Sequence, residues 1–467
     1  MHVDIATPQT LMEFSMRPEW FDLAQKPVPR YTSYPTAAQF EDNPDADAVS
    51  SWIAGIGPSE PISVYVHVPF CEQLCWYCGC HTTVPNGYTR IGRFVDVLLK
   101  EIELWKAKLP QHGGGVHLHF GGGTPNALNP KDMLRVLDAL RDAFCIDDDA
   151  EISIELDPRT LNPEMIQSLA AGGVTRASLG VQDFNRTVQE AINRIQPFLL
   201  VKGAVEALRA ADITAINFDL LYGLPHQTAE SVAHSAEMAA SLKPDRISAF
   251  GYAHVPWFAK HQRAIDEKTL PDTKARFDQF EALSETLVDF GYVQIGLDHF
   301  AREEDALAGA LKTGALHRNF QGYTTDTCRT LIALGPSGIS EFPGGFVQNA
   351  KDIRDYSESV MAGDIPHRRG VRRTDEDSLR SAVIERLMCD MQVDVAKVCQ
   401  RFDVPLSHFA DAFELLRGLE RLGICDVTGS VVQVPVEARV LLRSVAQCFD
   451  AYSSPNAVPA NRHAKAV

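Results

Sequence analysis

No apolar run in this chain approaches the roughly 20 residues that a membrane-spanning helix needs, so no membrane span is expected. The first residues, MHVDIATPQTLMEF, carry neither a basic stretch nor an apolar core. No signal peptide is therefore expected, and the expected location is cytoplasmic. Positive charge is scarce. Lys and Arg total 44 against 61 Asp and Glu, a net charge of −17, which argues against a nucleic-acid footprint. It does not argue against an anionic small substrate, because a pocket can gather arginines within an acidic protein. Internal repeats and low-complexity tracts are absent. What is present is an ordinary globular composition, 45% hydrophobic and 22% charged over 467 residues, enough for two or more domains.

Cysteine is unevenly spread. Cys71, Cys75, Cys78 and Cys80 fall in the run HVPFCEQLCWYCGCHT. No second C-x-x-C or H-x3-H partner occurs elsewhere, which disfavours a structural zinc site. Disulfides are not expected in a cytosolic chain. The spacing C-x3-C-x2-C gives three thiolates for three corners of a cuboidal 4Fe–4S cluster and leaves one iron open. An open iron allows chemistry on a bound molecule, whereas a fully ligated cluster only passes electrons. This spacing resembles that of radical S-adenosylmethionine (SAM) enzymes. Cys145, Cys328, Cys389, Cys399, Cys425 and Cys448 are scattered and read as free thiols, buried by default.

The chain organises around this motif. Residues 1–50 contain several prolines and little periodicity, and read as an extended arm. From 51 to 365, β-rich runs near 62–68, 115–120, 152–156, 174–181, 213–219, 246–252 and 292–297 alternate with amphipathic stretches. Those stretches lie near 90–108, 131–144, 197–210, 227–241 and 272–290. Such alternation predicts parallel βα units. Residues 366–455, opening on the basic run HRRGVRR, read as a small, mainly helical C-terminal domain with two short strands around 424–434. Residues 456–467 read as a disordered tail.

Alternate residues of a strand face opposite ways. Val64, Val66, Leu118, Phe120, Ile154, Leu179 and Phe218 oppose Tyr65, His67, His119, Glu155, Arg176, Gln182 and Asp219. The inward face of an ordinary TIM barrel is aliphatic. A polar inward face predicts a wider or incomplete barrel whose lumen holds a large polar ligand. The strand near 116–120 runs into Gly121-Gly122-Gly123-Thr124-Pro125, which permits close backbone approach to a ligand. No Gly-Lys-Ser/Thr follows, so this is not a phosphate loop of the usual kind. Glu155, Gln182 and Asp219 sit at strand C-terminal ends, where βα barrels place their chemistry.

With these residues the chain resembles the oxygen-independent coproporphyrinogen III oxidases of the radical SAM superfamily. The resemblance is carried by PRYTSYPTA (29–37), YVHVPFCEQLCWYCGC (65–80), FGGGTP (120–125), ELDPR (155–159), LGVQDF (179–184), FDLLYGLP (218–225), GYAHVP (251–256), GLDHFA (296–301) and HRNFQGYTT (317–325). It implies a partial TIM-type (βα)6 barrel. It also implies conversion of two propionates of coproporphyrinogen III to vinyl groups, giving protoporphyrinogen IX, an oxidoreductase step of heme biosynthesis. Cys71, Cys75 and Cys78 would ligate the cluster, and Tyr65, Tyr77, Gly122 and Glu155 would hold SAM on it. Gly123, Thr124, Gln182, Arg194, Asp219, Ala253 and Ile339 would surround a second SAM. The chain departs from the family pattern at Ile195, where an acidic residue is expected, and at Pro336, in a turn usually richer in small residues.

For the substrate's carboxylates, Arg30, Arg318 and Arg176 are candidates, with a solvated or structural arginine as the competing reading of each. An electron donor such as flavodoxin or ferredoxin and a monomeric state are also implied. The arm, with Arg30, Tyr31 and Tyr34, is expected to close over the substrate. Two other functions compete: a heme-binding trafficking protein on the same scaffold, and a tetrapyrrole methyltransferase. Cys80, the PRYTSYPTA arm and HRNFQGYTT favour the oxidase.

Overall fold

The computed structural model describes residues 17–453. Six βα units form its centre. Strands β1 (Ile62–Val68), β2 (Gly115–Gly122), β3 (Glu151–Leu156), β4 (Arg176–Gln182), β5 (Ala215–Tyr222) and β6 (Arg246–Gly251) lie side by side, parallel and in chain order. Helices α1 (Tyr88–Lys108), α2 (Pro130–Phe144), α3 (Pro163–Ala171), α4 (Phe198–Ala210), α5 (Ala229–Ser241) and α6 (Thr273–Asp289) follow them in turn. Local chemistry starts these helices where they are needed. Asn129 and Asn162 cap α2 and α3, each with proline as the next residue, and Thr228 and Ser231 form a capping box on α5.

The aliphatic strand face is the core. Val64, Val66, Leu118, Phe120, Ile154, Leu179 and Phe218 are at most 2% exposed. The polar face lines up in register: Tyr65 beside His119, His119 beside Ser153, Glu155 beside Ser178, and Asp219 beside Ser248. That register turns the sequence alternation into one continuous polar wall.

The sheet extends past the six strands to 13 in all. Beyond β6 come His299–Arg302 and Tyr292–Ile295. Beyond β1 come Leu331–Leu334, Ile339–Phe342, Gly345–Asn349, His367–Arg372 and the two-residue strand Glu41–Asp42. The expected domain boundary at 366 is therefore displaced. The run HRRGVRR pairs antiparallel with Gly345–Asn349 as part of the central sheet, and the C-terminal unit starts at the helix Asp375–Asp390. Exposed Arg368 and Arg372 alternate with the partly buried His367, Arg369 and Val371, so the run has strand period and not linker character. The C-terminal unit adds the helix Ala410–Arg421 and a three-stranded sheet of Gln392–Asp394, Asp426–Thr428 and Val431–Gln433.

The arm also departs from expectation. It contains helical turns at Pro18–Trp20 and Phe21–Ala24, and its last part belongs to the helix Ala46–Ala54. Trp20 Nε1 donates to the Leu422 carbonyl at 2.8 Å, Tyr31 OH donates to Asp450 at 2.9 Å, and Tyr34 OH accepts from Ala451 N–H at 2.9 Å. The tyrosines, 4% and 3% exposed, thus pin the arm to the C-terminal unit and do not shield the cavity. The expected tail 456–467 and residues 1–16 of the arm lie outside the described residues.

Candidate active site

The cysteine loop leaves the C-terminal end of β1 and is fixed from both sides. Cys71 N–H donates to Thr83 O and Gly123 N–H to Val68 O, at 3.0 and 2.8 Å. Gly123 has no room for a side chain: a Cβ there would stand 2.6 Å from Phe70 O. Further along, Trp76 N–H donates to Ile192 O, Asn193 Nδ2 to Leu74 O, and Gln262 Nε2 to Tyr77 O. The loop is thus stapled to the segments after β4 and β6. Tyr77 and Trp76 pack on an apolar cluster of Val188, Ile192, Leu224, Tyr252 and Ile265.

Each of the three motif sulfurs has donors. Thr82 Oγ1 donates to Cys71 Sγ at 3.1 Å, with Thr124 Oγ1 at 3.5 Å. Arg194 Nη1 and Arg159 Nη2 donate to Cys75 Sγ at 3.4 and 3.5 Å. Cys80 N–H donates to Cys78 Sγ at 3.4 Å. The hydrogen bond from the Cys80 thiol lowers the Cys78 pKa to about 7, while the same bond and burial push Cys80 well up. Burial raises Cys71 against the opposing pull of the two threonines. Cys71, Cys75 and Cys78 thus each receive the hydrogen bonds that ligand thiolates need, and Cys80 supplies one of them through its backbone N–H. This donor set fits a cluster on Cys71, Cys75 and Cys78. Among the described residues no His, Cys, Asp and Glu side chains converge to hold a single metal ion. A cuboidal cluster does not require that convergence, because each sulfur takes a separate iron.

Behind Cys75 stands a buried ion-pair triad. Asp157 Oδ2 accepts from Arg159 Nη2 at 2.6 Å and from Arg194 Nη1 at 3.2 Å. Burial alone would raise the Asp157 pKa, but the two guanidiniums hold it below the usual carboxylate range. Arg194 also donates to Gly180 O at 2.6 Å, beside Gln182, whose φ of +67° turns the end of β4.

The polar wall continues from the loop. Glu155 accepts from Gly122 N–H at 3.3 Å and lies 3.3 Å from His119 Nε2. Tyr65 stacks on His119 at 5.8 Å and hydrogen-bonds His67 Nδ1 at 3.2 Å. His67 Nε2–H donates to His81 O at 2.9 Å, and burial lowers its pKa to about 4, so the ring is neutral. Burial, then the nearby Glu155, raises Asp219 to about 7. Tyr65, Cys80, Glu155, Asp219, Ala253 and Ile339 line one cavity of about 1200 Å³, which Arg30 and Arg318 also reach. Small-molecule pockets ordinarily measure roughly 300–1000 Å³.

Gly122, Gly123, Thr124, Tyr77, Gln182 and Arg194 stand behind this wall, around the cysteine loop. Arg176 lines the cavity but is committed, 3.4 Å from Glu151 and donating to Asn217 at 3.0 Å. Its place is the first residue of β4, at the end of the strands opposite the chemistry. The residues missed from sequence are Arg276 and Arg443, which no motif marked, and Tyr222, which lies in FDLLYGLP but is given no role by that motif; the fold brings all three to the cavity.

A polar-lumened partial barrel, with a three-cysteine loop at the C-terminal end of its first strand, defines a radical SAM enzyme. Residues 65–239 match the Radical SAM superfamily. The "Oxygen-independent coproporphyrinogen III oxidase" of Bradyrhizobium diazoefficiens is 44% identical over 92% of this chain and 95% of its own. That of Escherichia coli K12 is 40% identical over 91% and 93%. A solved structure of the Escherichia coli enzyme, described as a radical SAM enzyme, superposes with a TM-score of 0.87 at 38% identity, covering 91% of this chain and 97% of that one. The chain belongs to the oxygen-independent coproporphyrinogen III oxidase family. Enzymes of the radical SAM superfamily work with a 4Fe–4S cluster and SAM.

Proposed function

We propose that this protein decarboxylates two propionates of coproporphyrinogen III oxidatively and without oxygen, leaving vinyl groups and giving protoporphyrinogen IX. The observation that carries the reading is the three-sulfur loop, each sulfur supplied with donors, next to a cavity that the loop's Cys80 lines and that is large enough for a tetrapyrrole. A cluster with SAM on its open iron supplies a radical able to take a hydrogen from an unactivated C–H bond, which no side-chain base can do. The chain's own residues bind, orient and exclude water. Cys71, Cys75 and Cys78 hold the cluster, and Thr82, Arg159, Arg194 and Cys80 fix their sulfurs. Tyr65, Tyr77, Gly122 and Glu155 hold SAM, with Glu155 as the carboxylate facing a cationic group. Gly123, Thr124, Gln182, Arg194, Asp219, Ala253 and Ile339 surround a second SAM; the shared position of Asp219, Ala253 and Ile339 on the cavity wall supports this.

Arg30 and Arg318 meet the substrate's carboxylates. The electron donor is a small flavin or iron–sulfur protein such as flavodoxin or ferredoxin, and the enzyme is a cytoplasmic monomer. Among the described residues no helix is long and apolar enough to cross a membrane. Anaerobic incubation of the reconstituted protein with SAM, reductant and coproporphyrinogen III tests the reading. Loss of two carboxyl groups from the substrate is the expected result. Tight heme binding with no turnover would instead identify a trafficking protein.

A further inference from the structure

The cavity has two chemically different ends. The cysteine loop, Tyr65, His119 and Glu155 belong to strands β1–β3. The β5–β6 side carries cations. Arg276, on α6, lies 5.6 Å from the ring of Tyr222, the last residue of β5. It stands so close to Gly223 and Gly251 that a Cβ at either position would meet its guanidinium. Burial lowers its pKa, and the groups acting on it are Tyr222 and Tyr252, with no carboxylate among them. Arg318, in the hairpin strand His317–Asn319, lies 4.4 Å from the ring of Tyr323. Its Nε and Nη1 are buried without a hydrogen-bond partner, and Asp298 is 3.8 Å away. Arg443, on the helix Leu442–Gln447, is lowered to about 10 by burial and then by Arg30. Arg30 acts on the same Tyr222 and Asp298.

Three guanidiniums from separate segments, Arg30, Arg276 and Arg443, therefore meet around Tyr222, and Arg318 joins them at Asp298, in a chain whose net charge is −17. One carboxylate that faces them, Asp298, is shared between Arg318 at 3.8 Å and His299 at 2.8 Å. Arg276, Arg318 and Arg443 are withdrawn from solvent, whereas Arg30 is exposed at the rim. Gathering buried positive charge in one place is costly until anions enter, and paired carboxylates match guanidinium geometry. A clamp on the reacting propionate would stabilise the carboxylate that must leave as CO2, and so oppose the reaction. A clamp on the other propionates has no such effect.

Resting on the function proposed above, we propose that Arg30, Arg276, Arg318 and Arg443 form a carboxylate-binding end that holds the propionates not being decarboxylated. Arg276 and Arg443 are the new members of this site. It accepts a tetrapyrrole with at least two carboxylates, and it orients a third toward the β1–β3 end.

Binding of coproporphyrin III and of its tetramethyl ester to the cluster-reconstituted protein tests the proposal, read anaerobically by fluorescence quenching. The native protein is expected to bind the tetra-acid at least about tenfold tighter than the ester. Arg276→Gln and Arg443→Gln should each weaken the tetra-acid about tenfold, leave the ester unchanged, and raise KM more than they lower kcat. Arg276→Lys, which keeps the charge, should retain most of the affinity. Should Arg276→Gln fail to fold, Arg30→Gln, on the arm outside the sheet, carries the same expectation. Unchanged tetra-acid affinity, or equal losses for acid and ester, would overturn the proposal. A native protein that binds neither porphyrin and does not turn over coproporphyrinogen III would instead remove the functional reading, and the proposal with it.

Discussion

At the scale of single residues, the cysteine loop separates ligands from supports. Cys71→Ala, Cys75→Ala and Cys78→Ala should each abolish the optical and EPR signals of a 4Fe–4S cluster. Cys80→Ala should keep the cluster, because the three other sulfurs have their own donors and the backbone N–H of residue 80, which donates to Cys78 Sγ, survives the substitution. Loss of iron from Cys80→Ala equal to that of the other three would contradict the ligand assignment. The guanidiniums on Cys75 predict a second effect. Hydrogen bonds to cluster sulfurs stabilise the more negative, reduced form. Arg159→Gln, which leaves Arg194 in place, should therefore lower the cluster's reduction potential in an EPR-monitored titration. Glu155→Ala should weaken SAM binding by roughly 10- to 100-fold with the cluster intact, the scale of a lost hydrogen bond to a charged group. Unchanged SAM affinity would remove Glu155 from that role.

At the scale of elements, α1 is tied to the turn that leads into the strand starting at Ile339 through one buried carboxylate. Glu101, fully buried, accepts from Gly335 N–H at 2.8 Å, Tyr356 OH at 2.6 Å and Asn349 Nδ2 at 3.0 Å. Burial nonetheless raises its pKa to about 7. An acid whose folded pKa exceeds its unfolded value binds more protons when folded, so stability falls as pH rises from about 4.5 to about 7 and then levels. A pKa difference of that size corresponds to on the order of 3 kcal/mol. Glu101→Gln should flatten this part of the pH–stability curve measured by denaturant unfolding; an unaltered slope would show that Glu101 does not titrate there. The arm gives the other element-level prediction. Trp20 is 3% exposed and bonded to Leu422, so Trp20→Ala should cost about 3 kcal/mol of stability. A melting temperature unchanged by that substitution would mean that the arm is not docked.

Elements also differ in how far they were legible from sequence. The barrel strands were, because Val, Ile, Leu and Phe alternate with polar residues and helices intervene. The helix Pro163–Ala171 was overlooked although Asn162-Pro163 marks its start, being too short for its periodicity to stand out. HRRGVRR looked like a basic linker because its pairing partner lies about twenty residues earlier in the chain. The tyrosines of the arm misled for a related reason: their partners Asp450 and Ala451 are over 400 residues away. The cysteine loop, the glycine turn and the strand-end polar residues were legible because each is a local pattern. Arg276 and Arg443 were not, because lone arginines on helices look solvated until the fold sets them against the cavity.

At the scale of the whole molecule, the polar face of the curved sheet is what gives the chain a reaction. It sets the cysteine loop beside a large cavity and a cluster of arginines at another end of it, within an otherwise acidic protein. The most direct test is the mass of the product formed anaerobically from coproporphyrinogen III by the reconstituted protein with SAM and a one-electron reductant. The expected product is protoporphyrinogen IX, lighter than the substrate by two CO2 and four hydrogen atoms, with SAM consumed in step with the vinyl groups formed. Substrate recovered unchanged from a protein that carries its full cluster and cleaves SAM would contradict the assignment.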